Sequence, residues 1–146
     1  MKKNKIHIPI KAVSLQEEGF HLFVKGKLGK HALRLLIDTG ASKTVLDKKF
    51  ISERLPELKL EINEQLTTGV GTNTIQSEFT DIENLSVGKL KLKKLKVAVL
   101  DLQHVNETYN LIQLPPIDGV LGCDVLVDYG AVINLDKNEL RIKTYK

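Results

Sequence analysis

At residues 33–42 the chain reads Leu33-Arg34-Leu35-Leu36-Ile37-Asp38-Thr39-Gly40-Ala41-Ser42. The first five, mostly apolar residues predict a buried strand, and a carboxylate, a hydroxyl and a glycine follow it directly. An aspartate is costly to bury unless it is paired or hydrogen-bonded, so a strand that leads to one requires an explanation. The segment from Asp38 to Ser42 occurs once in the 146 residues.

Length and composition limit the kinds of protein that this chain can be. We expect a single domain over residues 1–146, with a core at about 20–143 and residues 1–19 as an N-terminal extension that contributes an edge strand. The hydrophobic fraction of 42% and the charged fraction of 27% are typical of a globular protein rather than a disordered one.

The formal net charge of +4 is distributed along the chain, and its densest group of lysines lies at residues 89–96. These lysines alternate with leucines, which indicates the solvated face of a strand. Aromatic residues for base stacking are few and are not interleaved with them, so we expect no nucleic-acid partner. A charge of +4 spread so widely does not by itself select acidic substrates.

Cysteine content and hydropathy predict the compartment. Cys123 is the only cysteine, which excludes an intrachain disulfide and favours a reducing environment. The apolar run at residues 6–10 is too short and too interrupted for a signal peptide, and no run approaches the roughly 20 residues of a membrane span. The sequence therefore predicts a cytoplasmic protein without membrane contact, and Met1 favours a free-standing protein over a released fragment.

Short apolar runs bounded by turn residues predict strands over most of the chain. The predicted strands are 6–10, 20–27, 31–37, 45–46, 58–62, 75–79, 82–87, 90–100, 131–135 and 139–143. Helices are predicted at 47–55, capped by Asp47, and at 123–129, ended by Gly130, with some helix in the loop 103–116. The fold class is therefore mainly β, a closed, barrel-like or sandwich-like domain with one or two short helices.

The neighbours of Asp38 allow two interpretations of its carboxylate. An aspartate before glycine commonly forms an Asx turn, in which the side chain accepts a hydrogen bond from the backbone two residues on; we predict such turns at Asp118 and Asp128. At Asp38, however, Thr39 and Ser42 place two hydroxyls within reach and Gly40 allows the backbone to come close. This pattern also fits a carboxylate that takes part in chemistry.

The segment from Ile37 to Ser42 resembles the active-site loop of aspartic proteases, and the chain length and single motif copy resemble the retropepsin-like group. In that family an apolar-apolar-glycine triplet and a short helix lie downstream and pack beneath the loop. Val120, Leu121 and Gly122 match this triplet in type, order and spacing. A weaker match places the substrate-covering flap hairpin at Thr68, Gly69, Val70, Gly71, Thr72 and Asn73. The resemblance covers about residues 20–143.

The resemblance implies an aspartic endopeptidase that needs neither a metal nor another cofactor. Two carboxylates share one proton in this chemistry: the ionised one activates a water, and the protonated one donates to the scissile carbonyl oxygen. Because this chain has one such motif, the resemblance implies a homodimer in which two copies of Asp38 meet at a two-fold axis and act on an extended peptide. It further implies that Thr39 braces the pair across the axis and that Ser42 hydrogen-bonds Asp38.

One alternative from another class stays open, a non-catalytic retropepsin-fold module that dimerises or binds peptides. It is favoured by the predicted flap tip, which lacks the aromatic residue of pepsin-like flaps and is poorer in glycine than retroviral-type flaps. Other kinds of site fit poorly. The glycines at 69–71 lack a phosphate-binding lysine, the four histidines have no metal-ligand spacing, and the short apolar helix around Cys123 is typical of a buried cysteine.

Overall fold

A computed structural model describes residues 3–66 and 74–145 of the chain. The strands are β1 Lys3–Pro9, β2 Lys11–Ser14, β3 Phe20–Leu28, β4 His31–Ile37, β5 Val45–Asp47, β6 Glu61–Leu66, β7 Thr74–Ile82, β8 Leu85–Val87, β9 Leu90–Lys91, β10 Leu95–Leu100, β11 Gly119–Leu121, β12 Val132–Asn134 and β13 Glu139–Tyr145. The helices are α1 Lys48–Arg54, α2 Gln103–Leu111 and α3 Cys123–Asp128, with one 3₁₀ turn at Gln16–Glu18. The prediction of a mainly β fold is confirmed.

The larger of the two sheets brings two strand ends to the same edge. Its order is β6-β7-β10-β5-β11-β4-β3-β8-β9, with β2 paired to β3. Neighbouring strands are antiparallel except for β4 with β11 and β5 with β10, which are parallel. Since β4 and β11 run in the same direction and Ile37 is in register with Leu121, Asp38 and Gly122 emerge side by side.

The alternation of side chains along β4 serves two apolar clusters. Leu33, Leu35 and Ile37 are buried in the larger cluster, which α1, α3 and the smaller sheet complete. Leu36 packs instead against the smaller cluster, to which α2 contributes the buried ring of Tyr109. The strand that leads to Asp38 is therefore fixed on both faces.

The smaller sheet joins the two ends of the described chain. Its order is β1-β13-β12, and β1 pairs with β13 over seven residue pairs from Lys3 with Tyr145 to Pro9 with Glu139. The predicted edge strand is thus present, and Pro9 is tolerated because an edge strand needs fewer ladder donors. Ile8, Leu140 and Ile142 are buried and join this sheet to the larger cluster.

The prediction of a closed sheet is wrong, because β6 and β9 end the larger sheet without pairing to each other. At one end β9 has only two residues, and at the other Glu61 and Ile62 of β6 are exposed. The predicted strand 90–100 is divided into β9 and β10, although its lysines are all exposed as expected. The described residues contain three helices, and the third beyond the predicted one or two is α2, which lies in the segment 103–116 where some helix was predicted within a loop.

The predicted cap of α1 is placed correctly but has another role. Asp47 occupies the N-cap position without a side-chain bond to the helix. Its buried carboxylate instead accepts a hydrogen bond from the Leu102 amide at 3.1 Å, which ties β5 to the start of α2. Gly130 follows α3 with φ of +53°, a conformation that favours glycine, as predicted. Among the described residues, no helix has the length and apolar character needed to cross a lipid bilayer.

Candidate active site

Three hydrogen bonds from the loop after β4 and from the neighbouring β11 hold Asp38 in place. The Asp38 amide donates to the Leu121 carbonyl at 3.1 Å, and the Ala41 amide donates to the Asp38 carbonyl at 3.2 Å. The Gly40 amide donates to Oδ1 of Asp38 at 2.8 Å. This last contact is the Asx-turn bond that the sequence allowed, and it fixes the orientation of the carboxylate.

The second oxygen of the Asp38 carboxylate, Oδ2, forms no comparable hydrogen bond within the described residues. Asp38 is half-buried, and its Oδ2 accepts no hydrogen bond from any residue that the structure describes. Ser42 and Thr39 are both exposed, and within the described parts of the chain no hydrogen bond joins Ser42 to Asp38. The expected Ser42 contact is therefore not formed here. The expected role of Thr39 requires a second copy of the chain.

The predicted triplet lies directly against this loop. Val120 and Leu121 belong to β11, between β4 and β5, and Gly122 follows as the residue before α3. A Cβ atom at Gly122 would lie 2.6 Å from the carbonyl carbon and oxygen of Lys43, so only glycine fits there. The Cys123 amide then donates to the Ala41 carbonyl at 2.8 Å, which joins α3 to the loop.

A buried network beneath the loop was not anticipated from the sequence. Thr44 is fully buried, and its hydroxyl donates to Oδ1 of Asp124 at 2.8 Å while accepting from the Gly122 amide at 3.1 Å. The Thr44 amide lies 3.0 Å from both carboxylate oxygens of Asp124, and the Val125 amide donates to Oδ1 at 2.8 Å. The network thus connects the end of the loop to the first turn of α3.

Cys123 is half-exposed rather than buried, since it begins α3 on the side facing the loop. Its Sγ donates to the Thr39 carbonyl at 3.0 Å. The predicted flap residues 68–73 lie outside the described residues. The hairpin of β6 and β7 that leads to them is described, with Leu66 opposite Thr74 as its outermost pair.

A cavity of about 480 Å³ adjoins the loop. Residues 40–43 form one wall, and Val45, Phe79, Lys96 and Ala98 form the remainder. These residues come from the loop and from β5, β7 and β10. The lining residue nearest to Asp38 in sequence is Gly40, two positions away. The cavity volume lies within the range of about 300–1,000 Å³ typical of ligand pockets.

The predicted Asx turn at Asp118 is wrong. Its Oδ2 accepts from the Arg34 amide on the neighbouring β4 at 2.9 Å, because β11 begins beside that strand. Burial raises the pKa of Asp118, and the hydrogen bond from the Arg34 amide partly offsets this effect. The Arg34 guanidinium stacks 4.0 Å from the ring centroid of Phe23, and burial lowers the pKa of Arg34.

With this geometry established, comparison with known proteins identifies the family. The family model described as aspartyl protease matches residues 24–125, more than half of the chain. The chain belongs to the aspartyl protease family. No curated protein sequence matches it.

Two solved structures share the fold of this aspartyl protease family member. A retropepsin-like aspartic protease from Rickettsia conorii has a TM-score of 0.58 and 21% identity, over 97% of this chain and 92% of that one. The retroviral protease-like domain of Ddi1 from Leishmania major has a TM-score of 0.53 and 16% identity, over 84% of this chain and 87% of that one. The predicted retropepsin-like fold is confirmed; at these identities the likeness concerns the fold alone.

Proposed function

We propose that the chain is an aspartic endopeptidase and that Asp38 is its catalytic residue. The observation that carries the proposal is the state of the Asp38 carboxylate. The Gly40 amide orients it through Oδ1, while Oδ2 accepts no hydrogen bond from any described residue. A carboxylate that is held in orientation by one oxygen can use the other to act on a water or a substrate carbonyl, and the cavity lined by Gly40 to Lys43 lies beside it. Membership in the aspartyl protease family supplies the class of reaction.

The proposed mechanism requires two copies of the chain, since each has one Asp-Thr-Gly sequence. Two Asp38 carboxylates that meet at a two-fold axis cannot both ionise, so they share one proton. The ionised carboxylate accepts a proton from water as the water oxygen attacks the scissile carbonyl carbon. The protonated carboxylate donates to the carbonyl oxygen, and a proton then passes to the departing amide nitrogen as the C–N bond breaks.

Other residues of the loop and the hairpin have supporting roles in this proposal. Thr39 braces the partner loop, Ser42 hydrogen-bonds the outer oxygen of its own Asp38, a contact that is absent from the described residues of the single chain, and residues 68–73 cover an extended peptide and exclude water. The chain ends pair with each other within one chain through β1 and β13. This pairing supports a homodimer in which the two ends stay within their own subunit. The cytoplasmic location expected from the single cysteine stays a prediction.

A non-catalytic module that dimerises or binds peptides is the second candidate. It is favoured by the contact between Gly40 and Asp38, because an ordinary Asx turn makes the same bond without any chemistry. Sedimentation across protein concentration separates the two candidates in part. A chain that stays monomeric at all concentrations cannot assemble the pair of carboxylates.

The test of the proposal compares Asp38→Asn with the wild type on a peptide library, with cleavage read by mass spectrometry from pH 3.5 to 8. Because both carboxylates of the proposed pair are Asp38, the substitution removes both. General acid–base catalysis typically contributes about 10²–10⁴-fold in rate, so we expect cleavage to fall by at least that factor. Asp136→Asn is the matched control, because Asp136 is exposed in the turn between β12 and β13.

The fold and sedimentation of Asp38→Asn should match those of the wild type, because its amide oxygen can still accept from Gly40. Wild-type rates in Asp38→Asn would refute the proposed mechanism. A wild-type homodimer that cleaves no peptide at any pH would favour the non-catalytic module.

A further inference from the structure

The cavity beside the Asp38 loop has an apolar floor and a positively charged rim. Phe79 is 6% exposed and Val45 is 9% exposed, and Ala41 and Ala98 are half-buried beside them. Lys43 and Lys96 also line the cavity, and both are exposed. A group that enters it therefore meets hydrocarbon below and ammonium groups above.

The two lysines differ in how their charge is compensated. Nζ of Lys96 lies 3.0 Å from Oε2 of Glu61. The hydrogen bond to Glu61 raises the pKa of Lys96, and the charges of Glu61 and Asp81 act in the same direction. Lys96 therefore contributes little net positive charge to the cavity.

Lys43 has no such partner among the residues whose side chains the structure describes. Its ammonium lies 5.4 Å from the ring centroid of Phe79, a distance typical of a cation–π contact. Within the described chain this side chain forms neither an ion pair nor a hydrogen bond, so its positive charge is available to a ligand. The contact with Phe79 holds that charge directly above the apolar floor.

We propose that this cavity is a subsite for an acidic side chain of the peptide, glutamate above all, and that Lys43 is the residue that determines this specificity. The inference rests on the proposed function, since it names the substrate class of the same site. The methylenes of glutamate would cover Phe79 and the two alanines while its carboxylate pairs with Lys43. A lysine or arginine would face a like charge there.

The size of the preference follows from the exposure of Lys43. An ion pair with access to water contributes about 0.2–1 kcal/mol, so glutamate should exceed glutamine by up to about fivefold. Because salt screens such pairs, the preference should decrease between 0.05 and 0.5 M NaCl. In a two-fold dimer the cavity occurs once on each side of the Asp38 pair, so the preference should occur on both sides of the scissile bond.

The experiment uses one peptide library in two assays. Cleavage by the wild type, Lys43→Met and Lys43→Glu is profiled by mass spectrometry, and binding is profiled by enrichment of the same library on Asp38→Asn with and without Lys43→Met. Lys137→Glu is the control for net charge, because Lys137 is exposed in the turn between β12 and β13. Circular dichroism verifies that each variant is folded.

We expect glutamate enrichment in the wild type and in Lys137→Glu, loss of the enrichment in Lys43→Met, and a change to lysine or arginine in Lys43→Glu. Cleavage with equal rates for glutamate and glutamine, or an enrichment that survives Lys43→Met, would overturn the subsite and leave the peptidase intact. Glutamate enrichment by binding without any cleavage by the wild type would support the subsite and overturn the proposed catalysis.

Discussion

Replacing Thr44 by valine tests whether the buried network beneath the Asp38 loop stabilises the fold. Valine has nearly the shape of threonine but lacks the hydroxyl, so the substitution removes two hydrogen bonds without leaving a cavity. One is the 2.8 Å bond to the Asp124 carboxylate, and the other is the 3.1 Å bond accepted from the Gly122 amide. Thr44 and Gly122 are buried, so water cannot replace the bond from the Gly122 amide, whereas the half-buried Asp124 carboxylate keeps some contact with water.

The expected loss is large relative to the stability of a small domain. A hydrogen bond to a charged group contributes about 1.5–3 kcal/mol, and a buried amide left without an acceptor costs about 1–3 kcal/mol. The substitution causes both losses at once, so their sum predicts a decrease of about 3–5 kcal/mol in the free energy of unfolding. Typical domains have about 5–15 kcal/mol in all, and each lost kcal/mol lowers Tm by roughly 2–4 °C at this size.

The assay is urea and thermal unfolding followed by far-ultraviolet circular dichroism, because the chain has no tryptophan. Protein concentration is held constant, since dimerisation would make stability concentration-dependent. Thr44→Ser is the matched control: it keeps the hydroxyl and loses one buried methyl group, at a cost of about 1 kcal/mol. A loss below 1 kcal/mol in Thr44→Val, or equal losses in the two variants, would refute the role assigned to the hydroxyl.

Two further substitutions test the packing and the electrostatics around the loop. Gly122→Ala should lower the free energy of unfolding in urea by about 2–4 kcal/mol, because its Cβ would lie 2.6 Å from the Lys43 carbonyl. The control is Gly29→Ala, whose Cβ would meet no atom within 4 Å, so only its positive φ should cost roughly 1–2 kcal/mol. Equal losses in the two variants would contradict the packing argument. Because burial raises the pKa of Asp118 above its ordinary value of 3.8, the folded chain binds that proton more tightly than the unfolded chain. The wild type therefore loses stability as pH rises from 3.8 through the raised value. Asp118→Asn removes this titration, so the free energy of unfolding of the variant relative to that of the wild type should rise over the same pH interval. A difference between the two proteins that stays constant from pH 3.5 to 7 would exclude a raised pKa of Asp118.

Local patterns in the sequence predicted the parts of the site that are close in sequence. The apolar run at residues 33–37 and the turn chemistry after it placed Asp38 at a strand end, and this prediction depends on residues that are neighbours along the chain. The Asx-type contact with Gly40 is local in the same sense. The position of Val120, Leu121 and Gly122 beneath the loop was implied only by the resemblance to aspartic proteases, since these residues are about 80 positions away.

What the sequence did not reveal depends on contacts between distant segments. Thr44 and Asp124 are 80 residues apart, and the only signal was an aspartate in the first turn of a short helix. The cavity beside the loop requires Phe79 and Lys96 from two other strands, whose side-chain directions depend on register. Closure of the sheet likewise depends on whether its edge strands meet, which no local pattern determines.

The pairing of β1 with β13 has a consequence for how the protein is made on the ribosome. The first described strand finds its neighbour only in the last one, from Lys3 with Tyr145 to Pro9 with Glu139. At translation rates of about 5–20 residues per second, β1 waits on the order of ten seconds for this neighbour to be synthesised. Until then the small sheet that completes the larger apolar cluster cannot form. A nascent chain therefore lacks this sheet until synthesis has passed β13.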